Sequence, residues 1–513
     1  MAVMYRSFFS VGAFTALSRL TGFLREMAIG ALMGQTALAD AYFVALRLPN
    51  QFRAIFGEGA FNSAYVPTYS RVLITSGEQS ATLFASRILT LLTLSQVVLL
   101  AFAYWRMPLF VQLIAPGFDK DPAKFALAVE MTRITFPYLA FITVATLHTA
   151  TLNAHGHFIA GAFAPVLLNV FIIGFLALAF LFPNAGIAAS WGVCLSGVAQ
   201  LGLLIRSAYR HGVLEHFAWP RLDVDVRQFF RALGPAVIGS AGQQIAILAD
   251  TILASGMPTG SVASINYADR LYQLPLGVIG VAAGTVLLPE MTRRLAAGDP
   301  RAAARAQNRS IGLSLAMCAP FLVGFLMIPE ELIRGAYQRG AFDAAAAARS
   351  SHVLAAYGFG LIPMVLIRSA VAAFQSRGDT TTPMLCFFAG LAANILLKVT
   401  LSGSQGPVGL AIGTAVGAWI NFGLLIFLAR RNGFSEPDDR LYENIALMAF
   451  ASAGAALATP FSLGVSTVLA AGLPFLRNEF LVAATFMALS LVYIALYASG
   501  SLLFGRGMRR QLS

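Results

Sequence analysis

Charge is what this sequence has least of. Only 11% of its 513 residues are Asp, Glu, Lys or Arg, whereas 58% are hydrophobic. A soluble globular chain carries about 25% charged residues. No water-soluble core of this length could hide so much apolar surface, so the bilayer must be the solvent for most of the chain. Lysine is nearly missing, present only as Lys120, Lys124 and Lys398. The net charge of +12 would suggest nucleic acid in a soluble protein. Here the arginines cluster between apolar runs, so membrane topology explains them first and no nucleic-acid partner is expected. The three cysteines, Cys194, Cys318 and Cys386, show neither metal-ligand spacing nor a disulfide pattern and read as small core residues. No GxxxxGK[ST] loop is present, so no direct ATP drive is visible. His155 and His157 share a turn without a third ligand, and the other histidines are scattered. No metal or other cofactor is expected. Convergent acids or histidines on one face, which a membrane enzyme would need, are also missing.

What remains is a series of apolar runs. A spanning helix needs about 20 mostly apolar residues. The sequence predicts an all-α polytopic membrane protein of about fourteen spans: 8–33, 38–68, 83–112, 128–153, 158–182, 186–209, 229–256, 262–292, 309–334, 350–375, 382–403, 407–431, 441–463 and 478–504. No cleaved signal precedes them; Arg6 leads into a long run that contains Arg19 and Arg25. Alternate loops are rich in arginine, notably Arg206, Arg210, Arg221, Arg227 and Arg231, then Arg293, Arg294, Arg301, Arg305 and Arg309. The loops between them, 34–38, 183–185, 256–261 and 404–406, hold no Lys or Arg. The positive-inside rule places the rich set and both termini in the cytoplasm.

An internal repeat organises these spans. The stretch GVCLSGVAQLGLLIRSAYRHG at 192–212 aligns without gaps to GTAVGAWINFGLLIFLARRNG at 413–433, sharing the block GLLI. A weaker echo pairs ALRLP at 45–49 with LYQLP at 271–275. The offset of about 220 residues corresponds to six helices. Two six-helix halves of like orientation around a central cavity are a transporter architecture, with the cargo site between them. The expected organisation is 1–212, a cytoplasmic linker 213–228, 229–433, and two extra helices within 434–513.

Ionisable residues inside spans carry the functional argument. Each costs about 2.5–3.5 kcal/mol at the bilayer centre unless it meets water or a partner. Arg19 and Arg25 lie in the first span, and Asp40, Arg47, Arg53 and Glu58 in the second. Among these six, cations lead four to two. Asp250, Asp269, Arg270, Arg368 and Lys398 follow in later spans. Arginine offers a planar fork of donors suited to phosphate, so the excess suggests a cationic cavity for a phosphate-bearing cargo. The bland alternative is internal pairing; Asp40 and Arg47, seven residues apart, share nearly one helical face. Asp269 and Arg270 point about 100° apart and address different neighbours. Arg368 reads as structural. Pro49, with Gly57 and Gly59 around Glu58, marks a broken helix of the kind that lines transporter cavities.

Several stretches resemble the MurJ/MviN family of lipid II flippases, within the multidrug/oligosaccharidyl-lipid/polysaccharide exporter superfamily. They are ALSRLTGFLREMAIG, ADAYFVALRLPNQFRAIFGEGAFNSAYVP (39–67), INYADRLYQLPLGVIGVAAGTVLLPEMTR (265–293), APGF (115–118), FPYL (136–139) and FAPVLLN (163–169). The resemblance implies a non-enzymatic flippase of a bacterial inner membrane. Its cargo would be lipid II, the undecaprenyl-pyrophosphate-linked peptidoglycan precursor, and its surroundings membrane lipids. Other cell-wall synthesis proteins are candidate partners. The resemblance further implies that Arg19, Arg25, Arg53 and Arg270 bind the pyrophosphate, and that Asp40, Glu58 and Asp269 pair with them or set gates. It also implies that the extra C-terminal helices form a groove for the lipid tail. Gln273 stands where the family has an acid. Some members resemble sodium-coupled transporters, and the matching positions are Asp250, Asn394, Lys398, Leu410 and Thr414. Lys398 replaces a ligand carboxylate there, which implies a degenerate ion site. Two rivals share the architecture: a flippase for another polyprenyl-linked glycan, and an exporter of cationic drugs, for which an acid-lined cavity would be expected.

Overall fold

The computed structural model describes residues 2–54, 60–470 and 477–509. Every regular element among them is helical. The chain divides into two compact units, Met1–Ala263 and Ser264–Ser513. The first holds α1 (Ala2–Met33), α2 (Ala37–Phe52), α3 (Ala60–Trp105), α4 (Met107–Ile114), α5 (Pro122–Thr135), α6 (Tyr138–Ala154), α7 (Ile159–Ala177), α8 (Ala185–Arg210), α9 (Val224–Ser255) and the first turn of α10 (Ser261–Pro275). The second holds the rest of α10, α11 (Val281–Ala296), α12 (Pro300–Met327), α13 (Pro329–Tyr337), α14 (Ala344–Phe359), α15 (Leu361–Gln375), α16 (Thr381–Gln405), α17 (Pro407–Arg431), α18 (Asp439–Leu457), α19 (Thr459–Ala470) and α20 (Arg477–Arg509). Inside the first unit α9 packs on α3.

Nine helical stretches among the described residues are long and apolar enough to cross a membrane, or ten if α18 and α19, bent by 48°, count as one span. The helices lie where the apolar runs placed them, as in Ile159–Ala177 and Pro407–Arg431. Fourteen is not reached by this measure, which covers the described residues alone. The runs that fall short are 8–33, 38–68, 229–256 and 262–292, which carry Arg19, Arg25, Asp40, Arg47, Arg53, Asp250, Asp269 and Arg270. In the last of them Pro275 contributes no backbone N–H, and residues 276–280 widen into a π-turn before α11.

In the first unit, Gly77 splits α3 with φ 80° and ψ 174°, a conformation only glycine adopts without strain. The two arms fold side by side around an aromatic core. Tyr65 stacks on Phe61 at 5.2 Å and on Phe84 at 5.7 Å, while Phe229 of α9 meets Phe61 edge-on at 5.5 Å. Leu147 and Ala150 of α6 close this core. In the second unit α16 and α17 run in close contact. Gly409, Gly413 and Gly417, four residues apart, form one face of α17. A methyl on Gly417 would lie 2.6 Å from Asn394 Cβ and 2.7 Å from the Gly390 carbonyl oxygen; one on Gly413 would lie 2.8 Å from Lys398 Cγ. Close backbone approach over small residues is the usual source of helix association in lipid. The C-terminal addition is seated on α12, where Ala319 and Val323 pack with Ala451, Ala455 and Tyr493.

This seam is testable. Gly417→Leu should destabilise the protein by about 1–3 kcal/mol through overpacking, read as a lower melting midpoint in detergent. Gly423→Leu on the same helix, where an added Cβ meets nothing within 4 Å, should leave the midpoint unchanged. Equal midpoints for the two variants would show that the seam is loose.

Candidate cationic site

Asp40 is the most completely enclosed ion of the first unit. Its carboxylate is 0% exposed and accepts from Lys124 Nζ at 2.6 Å, from the Gly260 amide at 2.8 Å and from the Ala263 amide at 2.9 Å. The two amides belong to the start of α10, whose first backbone donors have no partner within the helix. The carboxylate therefore caps α10 from a distance and meets the positive end of its dipole. Gly260 makes this possible: its φ is +92°, and a Cβ there would lie 2.7 Å from the Gln35 carbonyl oxygen. Lys124, only 4% exposed, also lies over the Phe118 ring at 4.3 Å. The carboxylate ties α2 to α5 and α10, with a lysine as its cation.

Arg25 is also buried, at 8% exposure. Nη1 donates to Asn169 Oδ1 at 2.9 Å and Nη2 to Glu26 Oε1 at 2.5 Å. Asn169 Nδ2 donates in turn to the Ser18 carbonyl at 3.0 Å and to Thr21 Oγ1 at 3.1 Å. The guanidinium is thereby fixed in place between α1 and α7. Glu26 corrects the charge reckoning along the first two spans, which becomes four cations to three acids. Arg19, on the same helix, is exposed and has no carboxylate partner among the described residues. Six residues separate it from Arg25, so the two point about 120° apart.

On α2, Arg47 Nε donates to Thr251 Oγ1 of α9 at 2.7 Å, and Gln51 Nε2 donates to the Gln244 carbonyl at 3.4 Å. The polar face of α2 thus addresses α9, on which Asp250 is half-buried. Arg53 follows α2 and is half-buried. Glu58 lies outside the described residues. In the second unit Asp269 and Arg270 are both half-buried on α10, and Gln273, one turn on, donates to the Asp269 carboxylate. Arg368 is exposed, and its stem passes over the π-turn: a Cβ on Gly280 or Gly284 would meet Arg368 Cδ at 3.6 or 3.5 Å. Asn394 and Lys398 are buried one turn apart on α16, with Leu410 buried and Thr414 half-buried on α17. His157 stacks on His211 with ring centroids 3.7 Å apart, and burial, then His211 and His155, hold His157 below the usual histidine range. Among the described residues no three His, Cys, Asp or Glu side chains gather as a metal site.

A family profile described as Lipid II flippase MurJ matches residues 29–498. The chain belongs to the MurJ family. It is 39% identical over 429 residues to the probable lipid II flippase MurJ of Rhizobium meliloti (strain 1021), spanning 83% of this chain and 80% of that one. It is 30% identical over 478 residues to the probable lipid II flippase MurJ of Rickettsia prowazekii (strain Madrid E), spanning 93% of each. Among solved structures, a lipid II flippase MurJ in an inward closed conformation matches with a TM-score of 0.81 at 24% identity, covering 97% of this chain and 99% of that one. An inward-facing multidrug resistance MATE family transporter of the MOP superfamily matches at 0.68 and 12% identity, covering 83% and 97%. The fold is therefore a MurJ fold, whose helical arrangement that MATE transporter shares in outline.

For a MurJ-family chain, the partners Lys124, Glu26 and Asn169 are what residue-by-residue reading overlooked. Each left a trace: Lys124 is one of three lysines, Glu26 adjoins Arg25, and Asn169 closes FAPVLLN. Lys124→Ala should leave Asp40 buried without its cation and cost about 3–5 kcal/mol, measured as a fall in melting midpoint. Adding Asp40→Asn should restore part of the loss. A Lys124→Ala variant that melts like the wild type would remove Asp40–Lys124 as a stabilising pair.

Proposed function

We propose that this chain is a lipid II flippase. It moves the undecaprenyl-pyrophosphate-linked peptidoglycan precursor from the cytoplasmic to the periplasmic leaflet of a bacterial inner membrane, by alternating access. Arg19, Arg25, Arg53 and Arg270 bind the pyrophosphate, and Asp269 and Glu58 pair or gate around them. The observation that carries this reading is the disposal of the acids. Asp40 is taken up by Lys124 and the start of α10, Glu26 by Arg25, and Arg19 is left without a carboxylate among the described residues. A polyanionic headgroup supplies the compensating charge. A cationic-drug exporter would need spare acids instead.

Arg25 meets the cargo pre-oriented, since Asn169 and Glu26 already fix its plane. Less rotamer freedom is then lost per bond to the phosphate. At 4 Å a unit charge pair gains about 4 kcal/mol at the effective dielectric of a protein site against about 1 kcal/mol in bulk water. A half-wet cavity is therefore enough to capture the headgroup and still let it go. The isoprenoid tail stays in lipid, and the helices α18 to α20 supply its groove.

Complementation of a lipid II flippase depletion strain tests the assignment. The wild type should restore growth, and Arg19→Ala, Arg25→Ala, Arg53→Ala and Arg270→Ala should each fail or grow poorly at equal expression. Rescue by all four variants would remove the binding assignment. Failure of a well-expressed wild type would favour another polyprenyl-linked glycan as cargo.

The same reading extends to the ion site. Lys398 is 0% exposed on α16, with its stem against Gly413 and with Asn394 one turn away. A fixed ammonium at that point takes the place of a bound sodium ion, with Asp250 as the acid of the degenerate site. Sodium should therefore not raise the melting midpoint of the purified protein over potassium at equal ionic strength. A sodium-specific rise that Asp250→Ala abolishes would contradict this.

A further inference from the structure

The segment between α8 and α9 has a structure of its own. Glu215 is 4% exposed and shares a hydrogen bond with His148 Nδ1 at 2.6 Å. Its other oxygen accepts from Thr151, which also shares a hydrogen bond with the Tyr65 hydroxyl at 2.8 Å. A buried carboxylate thus fastens the linker to α6. Beyond it, the His216 amide donates to Ser86 Oγ at 3.1 Å and the Ala218 amide to Thr90 Oγ1 at 3.1 Å. These two bonds straddle Arg87, which itself pairs with Asp223. Arg87 is the last charge before Ile88–Trp105, an uncharged run that supplies the apolar part of α3. The linker backbone is therefore held at the level where hydrocarbon begins.

At that level the linker turns its apolar side chains outward. Phe217 is 71% exposed, Trp219 79% and Leu222 57%. The linker's acids are occupied internally: Glu215 by His148, Asp223 by Arg87, and Asp225 by Arg71 at 2.8 Å. Arg206, Arg210, Arg221 and Arg227 are exposed, and none has a carboxylate partner among the described residues. We infer that this linker is a membrane-surface anchor that binds anionic phospholipid of the cytoplasmic leaflet, with Phe217 and Trp219 in the headgroup–acyl boundary and Arg221 and Arg227 on lipid phosphates. Tryptophan favours that boundary because its ring is apolar and its N–H polar. Basic residues beside it add attraction to anionic lipid that falls off within a Debye length. The occupant is bilayer lipid rather than cargo, because the charges lie on α8, on α9 and on the linker between them, and not on α1, α2 or α10.

The test uses the full chain in nanodiscs of phosphatidylcholine with or without phosphatidylglycerol. Lipids brominated near the headgroup end of the acyl chain should quench a component of tryptophan emission that Trp219→Phe lacks, and aqueous iodide should quench that component weakly. Arg221→Gln and Arg227→Gln should each lower the preference for co-purified phosphatidylglycerol by about fivefold, with the wild-type melting midpoint retained. Iodide-accessible Trp219 that bromolipid does not quench would overturn the anchor. So would an unchanged phosphatidylglycerol preference in the double variant, or shielding of Trp219 that requires a second protein.

Discussion

A charge placed in hydrocarbon has to find a partner or water, and around Asp40 that rule shapes the first unit. The carboxylate faces Lys124 of α5 and two amides at the start of α10, so three separately coded segments are held by one side chain. The cost of burial is offset because every strong contact is charge-assisted or made to the positive end of a helix. The consequence is felt elsewhere. An acid spent on a lysine is not available to neutralise an arginine, and the cationic character of α1 and α2 persists.

Lysine and arginine divide their work in this chain. Two of the three lysines, Lys124 and Lys398, are fully enclosed, at 4% and 0% exposure. A compact ammonium suits a tight space that a planar fork would not fill. Arginines sit instead where a fork can reach several acceptors, as Arg25 does, or where it faces outward, as Arg19 and the linker arginines do. The few lysines are thus structural markers.

Helix placement was legible from hydropathy because bilayer thickness fixes helix length. Ile159–Ala177 and Pro407–Arg431 fall almost where the runs put them. The charged spans were legible for the opposite reason, since residues so costly in lipid stand out. Their partners were not legible. Lys124 lies 84 residues from Asp40 and Asn169 lies 144 from Arg25, and no helical periodicity links such positions. Neither could spacing foresee Gly260, whose role depends on a backbone arriving from Gln35.

A direct binding measurement on the purified protein tests the central idea that guanidinium forks recognise a pyrophosphate. Native mass spectrometry can compare an undecaprenyl-pyrophosphate lipid with its monophosphate and with a neutral polyprenol of equal length. The expected result is a clear preference for the pyrophosphate lipid that inorganic pyrophosphate competes away and that Arg25→Lys weakens although the charge is kept. Equal retention of all three lipids, indifferent to pyrophosphate and to the loss of the fork, would contradict it.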